Sequence, residues 1–122
     1  MQYEQLADIA KEKLLSVNTA PEHLPVPLVY VLETAGGNIQ TIINDDFQDV
    51  MDLLAREGDT AIVKLVSMWK DGTVDVPSYA FRKALLGLNA RNAQTMVLLR
   101  TEGGYTEKPI EIMVPGGGIS VL

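Results

Sequence analysis

The run Leu28-Val29-Tyr30-Val31-Leu32 contains no polar residue to alternate with its apolar ones. Successive side chains of a strand point to opposite faces of a sheet. A strand of this composition therefore has to be covered on both sides, as in layered α/β proteins, rather than lie with one face in water. The stretch from Ala61 to Trp69 repeats the demand: Ile62, Val63, Leu65, Val66 and Met68 imply a second strand buried on both faces. The covering layers must come from helices whose apolar residues recur every three to four positions.

Three such helices are legible. Leu6, Ile9, Ala10, Leu14 and Val17 form one stripe, with Lys11, Glu12 and Lys13 turned to solvent. Phe47, Val50, Met51 and Leu54 form the second, which Gly58 should end as a left-handed C-terminal cap. Asn44, Asp45 and Asp46 precede it, and Asp45 with Gln48 three residues on fits a capping box. Phe81, Ala84, Leu85 and Leu88 form the third, with Ser78 as N-cap and an end near Asn89. Ala35-Gly36-Gly37-Asn38 turns the first strand back into Ile39 to Ile43. Lys70-Asp71-Gly72-Thr73 predicts another tight turn, after which Thr73 to Val76 pairs briefly. The last two strands are expected over Thr95 to Thr101 and Lys108 to Val114. The Gly103-Gly104 loop between them is too short for a crossover helix, so they pair antiparallel.

The resulting order predicts a three-layer α/β/α sandwich with a five-stranded mixed sheet. At 122 residues the chain has room for a single domain, residues 1–122, with 115–122 as a flexible tail around Pro115-Gly116-Gly117-Gly118. A formal charge of −6, with only 10 Lys and Arg scattered along the chain, argues against nucleic acid as a partner. No apolar stretch approaches the length of a membrane span and no secretory signal opens the chain, so a cytoplasmic protein without membrane association is expected.

There is no cysteine and a single histidine, His23. Disulfides, thiolate zinc sites, iron–sulfur clusters and cysteine nucleophiles are thereby removed, and zinc would depend on one imidazole plus carboxylates. Asp45, Asp46 and Asp49 could offer oxygen ligands to magnesium, although a capped helix start accounts for the same residues. His23 lies between prolines with no nucleophile or carboxylate partner visible in sequence. Trp69 and Tyr79 suit core packing, or else the lining of a cleft or interface. Arg82 and Lys83 fit the solvated face of their helix.

The chain also resembles cytidine deaminases, from about Leu24 to Pro115. Leu24-Pro25-Val26-Pro27-Leu28-Val29 is similar to the family's approach to its first strand, with Pro27 in place of a glycine. Gly37-Asn38-Ile39-Gln40-Thr41 resembles its glycine-centred hairpin, and Arg56-Glu57-Gly58 followed by Ile62-Val63 resembles the end of its second helix and its third strand. Pro77-Ser78-Tyr79-Ala80-Phe81-Arg82-Lys83-Ala84-Leu85 is similar to its proline-cysteine-glycine-x-cysteine-arginine-glutamine-x-leucine motif, and Ile112-Met113-Val114-Pro115 to its ending.

The departures fall on the chemistry. Zinc deaminases hold the metal with the two cysteines of that motif and a third histidine or cysteine, while a glutamate moves protons. The resemblance places Ser78 and Phe81 at the two cysteine positions, Asp45 at the third ligand and Phe47 at the glutamate. The segment between Asn44 and the second helix is also shorter than the family's, which carries there the asparagine and glutamate that grip the nucleoside sugar. What the resemblance implies is the fold without the zinc chemistry: no catalytic residue, no metal, no cofactor, and an oligomer, since the family's sites are completed across subunits. Two alternatives remain open. One is a small-molecule ligand, nucleoside-like or other, in a cleft formed by Asn44, Asp45, Phe47, Ser78, Phe81 and Arg82. The other is a carboxylate-metal hydrolase using Asp45, Asp46 and Asp49.

Overall fold

A computed structural model describes residues 2–16, 28–44, 46–69, 72–101, 104–110, 113–114 and 118–119. In chain order the elements are α1 (Tyr3–Ser16), β1 (Leu28–Thr34), β2 (Ile39–Ile43), α2 (Gln48–Glu57), β3 (Ile62–Trp69), α3 (Tyr79–Leu88), a 3₁₀ turn at Ala90–Gln94, β4 (Met96–Thr101), β5 (Gly104–Pro109), β6 (Met113–Val114) and β7 (Gly118–Ile119). Five strands form one mixed sheet in the order β2-β1-β3-β4-β5. The β3/β4 pair is parallel and the other pairs are antiparallel. No helix among the described residues is long and apolar enough to cross a membrane.

The expected double coverage of β1 holds residue by residue. Leu28, Tyr30 and Leu32 belong to a core built with α2 and α3 through Met51, Leu54, Phe81 and Leu85. Val29 and Val31 alternate into a second core under α1, built with Leu6, Ala10 and Leu14. Helices thus lie on both faces of a five-stranded sheet, the α/β/α arrangement that the sequence predicts.

Strand β3 departs from expectation at one residue. Its pairing with β1 runs Glu33 to Lys64 and then Thr34 to Ile62, so Val63 is passed over as a bulge. The extra residue has no cross-strand partner to bury it, and Val63 is exposed.

The end of the sheet is also corrected. The fifth strand is Gly104–Pro109 rather than Lys108 to Val114. It is an edge strand whose side chains alternate between half-buried and exposed, so apolar patterning does not announce it. Past Pro109, the Ile110 amide bonds the Thr95 carbonyl, and Met113–Val114 pairs with Gly118–Ile119 in a separate two-stranded sheet. Pro115 to Gly117 and 120–122, the rest of the expected tail, lie outside the described residues, as do Val17 and His23.

Polar side chains pin two junctions. Asn92, wholly buried in the 3₁₀ turn, accepts from the Ile62 amide at 2.7 Å and donates to the carbonyls of Thr60 at 3.0 Å and Leu85 at 2.8 Å. It thereby ties α3 to the start of β3. Asp59, just past the Gly58 cap, reaches back to the β1–β2 turn, where its carboxylate accepts from the Thr34 hydroxyl and from the Gly36 amide at 3.1 Å. A Cβ built on Gly36 would stand 2.8 Å from that carboxylate.

Candidate functional site

The region singled out by the sequence lies between the starts of α2 and α3. At α3 the sequence is well matched to its backbone. Ser78 is extended, with φ −60° and ψ 158°, and its hydroxyl accepts from the Phe81 amide at 3.1 Å, the expected N-cap. The Ser78 amide in turn donates to the Tyr30 hydroxyl at 3.1 Å. This bond ties the helix start to β1 and gives the buried phenol oxygen a partner.

The start of α2 is built differently. Phe47, not an aspartate, occupies the N-cap position, and it makes no side-chain capping bond. The expected capping box is therefore absent: Gln48 Nε2 donates to Asp52 at 2.9 Å instead of reaching back. The cause lies three residues upstream of Phe47. Asn44 ends β2 in the left-handed region, φ 55°, and its amide and side-chain oxygen close a two-way clasp with the Leu28 carbonyl at 2.6 Å and amide at 3.0 Å. The chain turns again, with the Asp46 amide bonded to the Ile43 carbonyl, before the first helical bond forms from Met51 to Phe47. Packing, rather than a polar cap, fixes this helix end.

That packing is an aromatic cluster. The Phe81 ring is fully buried, stacked on Tyr30 with centroids 4.0 Å apart and planes at 27°. Phe47 meets Phe81 edge-on, with centroids 5.5 Å apart and planes at 85°. The edge-on contact is the arrangement favoured by rings carrying a negative face and a positive edge, and the stacked pair adds close apolar contact. Ser67 lies directly across from Tyr30 on β3, and its hydroxyl is buried without a hydrogen-bond partner among the described residues.

Of the sequence-predicted cleft, Phe47, Ser78 and Phe81 come together here, while Asn44 is exposed and serves the β2 end. Asp45 lies outside the described residues. Arg82 does not lie on a solvated face: it is 5% exposed. It precedes Leu85 by three residues and so shares the flank of the helix that packs inward, where an arginine stem can be covered. Lys83 is exposed as expected.

Trp69 packs against the main core, with its indole nitrogen donating to Asp75 at 3.0 Å, whereas Tyr79 is 44% exposed on the outer side of α3 and is no core residue. Asp46 and Asp49 are exposed. Among the described residues no group of three or more His, Cys, Asp or Glu could hold a metal ion. Tyr30 is the participant that sequence reasoning missed. Its signal was a lone hydroxyl inside a run otherwise made of Leu and Val.

No family model and no curated protein matches the sequence. The fold, in contrast, is similar to solved cytidine deaminases. The chain superposes on that of Mycobacterium leprae with a TM-score of 0.64 at 13% identity, covering 88% of this chain and 93% of the other. For the enzyme of Burkholderia pseudomallei the TM-score is 0.65 at 12% identity, over 96% and 99%. For that of Mycobacterium tuberculosis it is 0.65 at 12% identity, over 96% and 97%. At such identities the likeness shows the fold alone.

Proposed function

We propose that this chain is a catalytically inactive protein on a cytidine deaminase-like fold, working in the cytoplasm as an oligomeric structural or interaction protein. The observation that carries the reading is the burial of Phe81 between Tyr30 and Phe47. The resemblance puts Phe81 and Ser78 at the thiolate positions and Phe47 at that of the proton-carrying glutamate.

The donor set does not fit zinc. Of the three ligand positions that the resemblance assigns, Phe81 offers no lone pair and the Ser78 hydroxyl oxygen already accepts from the Phe81 amide, so Asp45 alone would bring a carboxylate, and no thiolate or imidazole joins it. The outer side of α3, where Tyr79 and Leu86 are 44% and 40% exposed, supports a role in contacts with other chains.

The test is direct. Protein incubated with zinc and dialysed is expected to retain no stoichiometric metal and to release no ammonia from cytidine or deoxycytidine. Turnover that depends on the added zinc would overturn the inactive reading. Light scattering at micromolar concentration is expected to give an oligomer, and a monomer would remove that half. Stabilisation by nucleosides in a thermal-shift screen would instead favour the cleft as a ligand site.

A further inference from the structure

The opposite face of the sheet holds an open cavity of about 250 Å³. Helix α1 packs over β1 and β3, and the cavity opens beside it, toward β4 and β5. Its floor is apolar: Met68, Val74 and Leu98 are 3%, 6% and 8% exposed. One wall is α1, through Tyr3 and Ala7. Tyr105, on β5, also lines it and is 61% exposed although aromatic.

The Tyr3 wall is fixed in place. Its hydroxyl donates to the Met96 carbonyl at 3.1 Å, and the Lys64 ammonium stands 5.2 Å from its ring centre. The rim comes from a single helix face, where Glu4, Asp8 and Lys11 follow one another at helical spacing.

We propose that this cavity binds a small amphipathic amine, a single-ring or short aliphatic body with one ammonium group. The body would rest on Met68, Val74 and Leu98, with the ammonium at Glu4 and Asp8 beside the Tyr105 ring. Size sets the first limit, because the volume falls below the roughly 300–1,000 Å³ of pockets for drug-sized ligands. Charge sets the second.

Glu4 and Asp8, one helical turn apart, repel each other, and among the described residues neither is engaged by another side chain. Lys11 offsets only one of them, so the rim keeps a net negative charge that an ammonium relieves and a carboxylate aggravates. The exposed ring of Tyr105, which lines the same cavity, can also attract a cation. The site lies on the other side of the sheet from Phe47 and Phe81 and stands or falls separately from the proposed function.

The test uses the full chain and 2-phenylethylamine, followed by amide shifts in nuclear magnetic resonance, with 2-phenylethanol and 3-phenylpropionate as neutral and anionic matches. The amine is expected to shift the amides of Ala7, Val74, Leu98 and Tyr105 saturably and to bind most tightly of the three. Binding should weaken about threefold in the Glu4→Gln/Asp8→Asn variant, the scale of exposed charge pairs, and about threefold in Tyr105→Ala, the scale of an exposed cation–π contact. All three side chains are exposed, so the variants should fold, which circular dichroism would verify. No saturable shift at those amides, equal affinity for all three compounds, or amine binding unchanged by Glu4→Gln/Asp8→Asn would each overturn the proposal.

Discussion

The two faces of the sheet use their space in opposite ways. On the α2/α3 side, the volume between the helix starts is taken up by Tyr30, Phe47 and Phe81, and the Ser78 hydroxyl is spent on a cap. On the α1 side, the helix packs over β1 and β3 and an aromatic side chain stands exposed above a buried apolar floor. A fold shared with cytidine deaminases therefore does not fix which face carries a site. That depends on the few side chains gathered at the helix ends, not on the order of strands and helices.

This contrast can be broken by substitution. The largest effect is expected from Phe81→Ala, which should cost about 4 kcal/mol in chemical denaturation, the usual loss for emptying a buried aromatic site. Tyr105→Ala on the other face should change stability by no more than about 0.5 kcal/mol. Comparable losses at the two positions would erase the distinction between a filled face and an open one. Ser78→Ala should cost about 1 kcal/mol as a lost N-cap, measured by the same denaturation midpoint. Were it neutral, the serine would have no structural reason to occupy its position.

The smallest effect is a pH slope. Burial, followed by the hydrogen bond and charge of Glu107, pushes the Tyr3 phenol well above the ordinary tyrosine range. The folded state therefore favours the protonated phenol. Its contribution is complete below the unfolded value near pH 10 and declines as pH rises beyond that toward the folded value. Between about pH 10 and 12 the wild type should lose stability faster than Tyr3→Phe, which lacks the ionisable group. Parallel curves would show that Tyr3 is not held as the α1-side wall requires.

The sheet was legible where burial dictates composition. Leu28 to Leu32 had no polar residue to place in water, so both covering layers followed from that run. The third helix was legible because Ser78 and the Phe81/Leu85 stripe agree with each other. Legibility failed where a second influence overrode the local one. Asp45 and Gln48 make a good capping box on paper, but Asn44 turns the chain first and Phe47 is drawn inward by Phe81. Arg82 carries a charge, yet it sits on the flank of a packed stripe. Strand β5 hides because an edge strand needs backbone partners on one side only and can be polar throughout. The α1-side cavity could not be read at all: Glu4, Met68, Val74, Leu98 and Tyr105 converge from separate segments, and no spacing in the chain announces that meeting.

The clip between Asp59 and the β1–β2 turn links two positions of the chain that lie 23 residues apart. A methyl group at position 36 would force the Asp59 carboxylate that holds the turn to shift, which loosens the clip, so the two positions are expected to vary together. Across homologues they should change together, glycine at 36 persisting where aspartate holds 59 and relaxing where it does not.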